Sequence, residues 1–192
     1  MKYFVGEWET DNIIMESYLR EQNFYSGSER KTMLRKGNVK HPKKGQGGSM
    51  LYGTTWKGYI GPTQMREKDQ KSGLYKTKIY SEHPELMPIF KEYSNIYFPS
   101  FKWNQIQMNQ NFMCPPHKDG TNIGYSVLCC FGDYTGGSTI VRTDDKDIEY
   151  NPREKPLVFN GSIHTHWVAP FEGTRYALVF FCNNYGKKNL CL

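Results

Sequence analysis

No Cys-x-x-Cys pair occurs in the chain, which excludes a zinc ribbon and a thioredoxin-type motif. The five cysteines, Cys114, Cys129, Cys130, Cys182 and Cys191, are odd in number. A reduced, intracellular chain, cytoplasmic or nuclear, is the expectation. Long apolar runs are missing too. The start, Met1 to Glu9, holds no stretch of signal-peptide length, and no segment is long enough to span a membrane. Internal repeats are absent. Acids are outnumbered: 25 Lys and Arg face 19 Asp and Glu, a net charge of +6. Such a field favours polyanionic partners, although it serves solubility equally well.

What is present fits one domain spanning residues 1–192. Aromatics are 15% of the chain and include 14 Tyr, which suits a β-rich core with rings to spare for a binding surface. Residues 3–8 read as a short strand. Asp11 is placed to cap a helix over 12–23 that buries Ile14, Tyr18 and Leu19. Residues 29–49 carry Arg30, Lys31, Arg35, Lys36, Lys40, Lys43 and Lys44 with no acid after Glu29. They read as an exposed basic segment, either a solvated loop or a nucleic-acid contact. Residues 50–61 alternate weakly, with Tyr52, Trp56 and Tyr59, and 62–78 read as loop. A helix from His83-Pro84-Glu85 to Tyr93 repeats Leu86, Ile89, Phe90 and Tyr93 at helical spacing; Pro88 either kinks it or marks its start. From residue 99 the chain turns to strands: 101–109, 125–131, 138–143, 156–160, 164–168 and 175–181, with turns and a charged connection at 144–155. Trp103, Gln105, Gln107 and Asn109 fall on one side of the first, which suits either a polar cavity or a wet edge.

The chemistry concentrates in Pro115-Pro116-His117-Lys118-Asp119 and in His166-Trp167-Val168. In an extended segment His117 and Asp119, two apart, project to the same side. With His166 they supply two imidazoles and one carboxylate to one face of an ion, the arrangement of non-haem Fe(II) oxygenases. The same ligands serve hydrolytic zinc. His164 shares a strand face with His166 and is the rival ligand; a supporting or wall role fits it better. Arg175 stands in a strand-like run and offers a rigid fork to a carboxylate.

His-x-Asp, then His-x-Val-x-Pro and Gly-x-Arg, resembles the iron- and 2-oxoglutarate-dependent dioxygenases. Finer text, His117-Lys-Asp119-x-x-Asn122-x-Gly124, Val127-Leu-Cys129 and Phe131 to Gly137, resembles their TET/JBP branch, which oxidises the methyl group of pyrimidines in nucleic acid. The likeness covers about residues 95–182. It implies a mainly β fold, a double-stranded β-helix or cupin-like jelly roll over 99–182, with N-terminal helices and the basic region, 1–98, packed outside. It implies Fe(II) on His117, Asp119 and His166, 2-oxoglutarate with its distal carboxylate on Arg175, and molecular oxygen as co-reactant. Asn109 resembles an Asn that helps hold the co-substrate. Asn122 resembles an Asn that contacts a flipped base, a task suited to an amide, although Asn122-Ile-Gly also reads as a plain turn. Tyr125, Trp167 and Phe171 are candidate pocket aromatics.

The function implied is hydroxylation of the 5-methyl of 5-methylcytosine or thymine in DNA. Alternatives with the same iron site are an AlkB-like nucleic-acid demethylase and a hydroxylase of protein side chains. An inert cupin-like binding module fits less well with an intact ligand set.

Overall fold

The computed structural model describes residues 2–22, 48–55, 65–68 and 75–183. Most of the basic region, Trp56, Tyr59 and the tail after Asn183 lie outside them. Among the described residues the helices are α1 (Trp8–Arg20), α2 (Lys78–Glu82) and α3 (Leu86–Tyr97). The strands are β1 (Gly48–Thr55), β2 (Met65–Lys68), β3 (Tyr75–Thr77), β4 (Gln105–Gln110), β5 (Asn122–Phe131), β6 (Tyr134–Gly136), β7 (Thr139–Arg142), β8 (Asp147–Tyr150), β9 (Leu157–Phe159), β10 (His166–Val168), β11 (Phe171–Gly173) and β12 (Tyr176–Asn183).

A seven-stranded sheet runs β2-β3-β1-β4-β12-β5-β9; smaller sheets are β10-β7-β8 and β11-β6. Pairing is antiparallel throughout. Period-two alternation divides each long strand between two cores. Val127, Cys129, Phe131, Leu178 and Phe180 pack with Met15, Phe90 and Tyr93 of the helices. Leu128, Cys130 and Ala177 face the other way, onto Tyr134, Val141 and Phe159. This second, smaller core holds the site. The large sheet with helices on its outer face is the mainly β jelly roll expected.

Several local expectations change. Residues 3–8 are not a strand, and α1 begins at Trp8, before Asp11. Asp11 does not cap α1. It is fully buried and accepts from the Val5 and Gly6 amides at 2.8 Å each and from the Tyr97 hydroxyl at 2.7 Å. This ties the N-terminal segment to α3. Asp11, Met15 and Leu19 are buried, and Ile14 and Tyr18 pack half-buried against the same core. His83-Pro84-Glu85 separates α2 from α3, and Pro88 lies in the first turn of α3, where its missing N–H costs nothing. The stretch 62–78 contains β2 and β3, and both join the large sheet through β1. Strand structure therefore begins well before residue 99. Cys182 is disulfide-bonded, against the expectation of a reduced chain, whereas Cys114, Cys129 and Cys130 are outside disulfides. Spacing alone does not show which thiols a fold brings together.

Candidate metal and co-substrate site

Two irregular segments carry the ligands side by side. His117 and His166 form an isolated antiparallel bridge: the His117 amide donates to the His166 carbonyl at 3.1 Å, and the reverse bond is 2.9 Å. The Asp119 amide donates to the Gly161 carbonyl at 2.8 Å, and the Val168 amide to the Cys114 carbonyl at 3.0 Å. Backbone pairing thus sets the spacing of the three side chains before any ion is bound. Their ligand atoms lie within 4.8 Å of one another. His117 Nε2 is 3.4 Å from Asp119 Oδ1, and His166 Nε2 is 3.6 Å from Asp119 Oδ2.

The rings are oriented alike. His117 Nδ1 is 2.8 Å from the Pro115 carbonyl, and His166 Nδ1 is 3.0 Å from the His164 carbonyl. Each carbonyl comes from two residues upstream and fixes the proton on Nδ1, leaving Nε2 to the metal. His164 therefore supports the site through its backbone, and its ring is not in the ligand cluster. Burial of His117 opposes charging, but the Asp119 carboxylate and Cys114 thiol outweigh it and raise its pKa to about 10. The ligand set is one that draws positive charge. Cys114 Sγ stands 3.4 Å from His117 Nδ1, a neighbour that the sequence reading did not single out.

Arg175 immediately precedes β12 and is 2% exposed. Its backbone is clamped by Asn111, whose Oδ1 accepts from the Arg175 amide at 2.7 Å and whose amide donates to the Arg175 carbonyl at 2.8 Å. Asn111 takes a φ of 48°, a left-handed conformation that Asn tolerates better than most residues. The guanidinium lies 5.7 Å from the ring centroids of both Tyr134 and Phe171. One of its nitrogens donates to Cys130 Sγ at 3.0 Å. Burial raises the pKa of Cys130, and Arg175 opposes that rise. A neutral thiol is a weak partner for a buried cation.

The triad and Arg175 line one cleft. Asn109 is on its wall, as are Phe112, Thr139, Phe159 and Trp167. Asn109 Oδ1 accepts from Ser49 Oγ at 2.8 Å, and Gln107 donates to the same hydroxyl. The amide row of β4 thus faces the interior and is tied to β1. Two buried polar atoms on the cleft wall have no partner: Arg175 Nε and Thr139 Oγ1. Unmet donors beside a buried cation are what a carboxylate would satisfy. The residues present therefore fit a metal on the triad and an anionic co-substrate on Arg175. Thr139 and Cys130 were not foreseen, because neither carries a motif and both arrive through strand register.

Asn122 is not on the cleft wall. Its Nδ2 donates to Asp119 Oδ2 at 3.4 Å and to Ser126 Oγ at 3.3 Å. Of the candidate aromatics, Trp167 lines the cleft, Phe171 flanks Arg175, and Tyr125 stands 60% exposed on the surface.

No family model and no curated protein matches the sequence. Solved structures do match the fold. A 2OG-Fe(II) oxygenase-family oxidoreductase from Burkholderia pseudomallei aligns with TM-score 0.51 at 12% identity, over 90% of this chain and 81% of that one. OsALKBH1 aligns with TM-score 0.50 at 13% identity, over 92% and 93%. The fold is that of the 2OG-Fe(II) oxygenases. NgTET1, solved in complex with 5mC DNA, aligns with TM-score 0.49 at 17% identity, over 88% of this chain and 69% of that one. An oxygenase fold with an intact His117-x-Asp119…His166 triad supports Fe(II) and 2-oxoglutarate as metal and co-substrate, and molecular oxygen as the oxidant. No described helix is long and apolar enough to cross a membrane.

Proposed function

We propose that this chain is a 2-oxoglutarate-dependent dioxygenase that hydroxylates the 5-methyl group of a pyrimidine, 5-methylcytosine or thymine, in DNA. The observation that carries the reading is Asn122, three residues after Asp119 and bonded to its carboxylate. Its amide protons go to Asp119 and Ser126, and its Oδ1 accepts no hydrogen bond among the described residues. That acceptor matches the exocyclic amine of cytosine or the ring N–H of thymine. The likeness of His117-Lys-Asp119-x-x-Asn122-x-Gly124 to the TET/JBP branch and the net charge of +6 point the same way.

Each residue then has a task. His117, Asp119 and His166 would hold Fe(II). Arg175 and Thr139 receive the distal carboxylate of 2-oxoglutarate, and Asn109 walls the same cleft. When bound there, Fe(II) would supply the chemistry by which oxygen converts 2-oxoglutarate to succinate and carbon dioxide and a C–H bond to C–OH. Leu128, Phe159, Val168 and Val179 keep bulk water from that centre. Asn122 sets the base edge beside Asp119, so that the methyl rather than a ring atom is nearest the metal. A base inside a duplex has to leave the stack to arrive there.

The test is nucleoside mass spectrometry after incubation with Fe(II), 2-oxoglutarate and DNA of known methylation. A 5-hydroxymethylpyrimidine is expected. Loss of an N-methyl group instead would assign the AlkB-like alternative, and oxidation of protein but not DNA would assign the side-chain hydroxylase.

A further inference from the structure

Four of the seven large apolar residues that stand exposed among the described residues lie within six residues of a triad member in the sequence. Met113 is 53% exposed, Ile123 50%, Tyr125 60% and Ile163 58%. Single exposed apolar side chains are ordinary; four of them flanking one set of triad residues along the chain are not. The backbone draws these segments together. Met113 adjoins Cys114, whose carbonyl accepts from Val168, and Ile163 lies in the turn whose Gly161 carbonyl accepts from Asp119. Ile123 and Tyr125 follow directly on the Asp119–Asn122 turn.

Charge around them is sparse. Across 113–125 and 160–166 the sole acid is the ligand Asp119, while Lys118 is exposed. An apolar rim with one exposed Lys, and no acid besides the one committed to the triad, suits a polyanion that also offers flat apolar faces, which is a nucleic acid. An acidic peptide would be drawn by the charge but has no use for the rings.

From this we infer that Ile123 and Tyr125 form a wedge that enters the base stack of a duplex beside the nucleotide taken to the metal. The inference rests on the nucleic-acid reading above and adds how the substrate is opened. The two side chains are carried two residues apart at the start of β5, with Gly124 between them at φ 69°. The left-handed glycine bends the strand start away from regular sheet geometry, and nothing lies within 4 Å of where its side chain would be. A flipped base leaves a gap, and an apolar side chain with an aromatic ring fills it by stacking.

The experiment compares hydroxymethyl product from two duplexes, one with the 5-methylcytosine paired and one with the same nucleotide mispaired. Both side chains are exposed, so the double variant Ile123→Ala with Tyr125→Ala should fold. A wedge matters most where pairing must be broken. The double variant should therefore lose about tenfold of product on the paired duplex and recover most of it on the mispaired one. Tyr125→Phe, which keeps the ring, should resemble the wild type on both. Equal losses on the two duplexes, or none on either, would overturn the wedge while leaving the substrate reading intact. Wild-type protein yielding no oxidised pyrimidine from either duplex would overturn the substrate reading, and the wedge with it.

Discussion

The two histidines of the triad are held by the same device, a carbonyl two residues upstream on Nδ1. For His166 that carbonyl belongs to His164, which explains a pair that sequence leaves ambiguous. Replacing His117, Asp119 or His166 by Ala should abolish iron binding measured by metal analysis, whereas His164→Ala keeps the carbonyl and should keep the iron. Iron lost from His164→Ala but retained by His166→Ala would reverse the assignment. Arg175 is a different case, a buried cation whose Nε lacks a partner. Arg175→Ala should weaken 2-oxoglutarate binding by about 2–5 kcal/mol, the cost of removing one member of a desolvated charge pair, with iron affinity nearly unchanged. Calorimetry that finds unaltered 2-oxoglutarate affinity would remove Arg175 from that role.

Among the elements, turns set the site as much as strands do. A Cβ on Gly161 would lie 3.0 Å from Asp119 Oδ2, 3.2 Å from His166 Cε1 and 3.3 Å from a Phe159 ring carbon. Gly161→Ala should therefore push two ligands apart and lower iron affinity by about 10–100-fold, as loss of a supporting contact does at other metal sites. Wild-type iron affinity in that variant would show that the turn gives way at no cost. Away from the cleft, Asp11 joins the N-terminal segment to α3 with three accepted bonds. Asp11→Ala leaves three part-buried donors without their acceptor and should cost about 2 kcal/mol, lowering Tm by about 4–8 °C in a domain of this size. A Tm within a degree of wild type would assign the clamp no weight. These turns and clamps were hidden in the sequence for a physical reason. Gly161 separates two short strands in sequence and meets Asp119 only through the fold. Asp11 stands at a plausible cap position, and its actual partners are as distant as Tyr97.

For the molecule as a whole, the sequence was readable where one strand sufficed. The His117-x-Asp119 spacing, the opposed faces of β4 and the run into β12 each depend on period-two alternation, and the structure keeps all three. It was unreadable where short strands are polar or glycine-rich: β6 and β11 cross 134–136 and 171–173, and β8 lies within the charged 147–150. Such segments gain their hydrogen bonds from partners far along the chain rather than from local preference. Thr139 and Cys130 reach Arg175's surroundings by the same route. The basic stretch from Arg30 to Lys44 lies outside the described residues, so its proposed contact with phosphates stays with the charge argument alone.

The central claim is that the triad and Arg175 serve one coupled oxidation of a pyrimidine methyl. It is tested most directly by quantifying succinate and 5-hydroxymethylpyrimidine together, with Fe(II), 2-oxoglutarate, oxygen and 5-methylcytosine DNA. The account expects the two products to rise in step in the wild type and neither to form with Asp119→Ala. Succinate formed without an oxidised pyrimidine, on methylated and unmethylated DNA alike, would contradict the substrate; no succinate under any of these conditions would contradict the oxygenase.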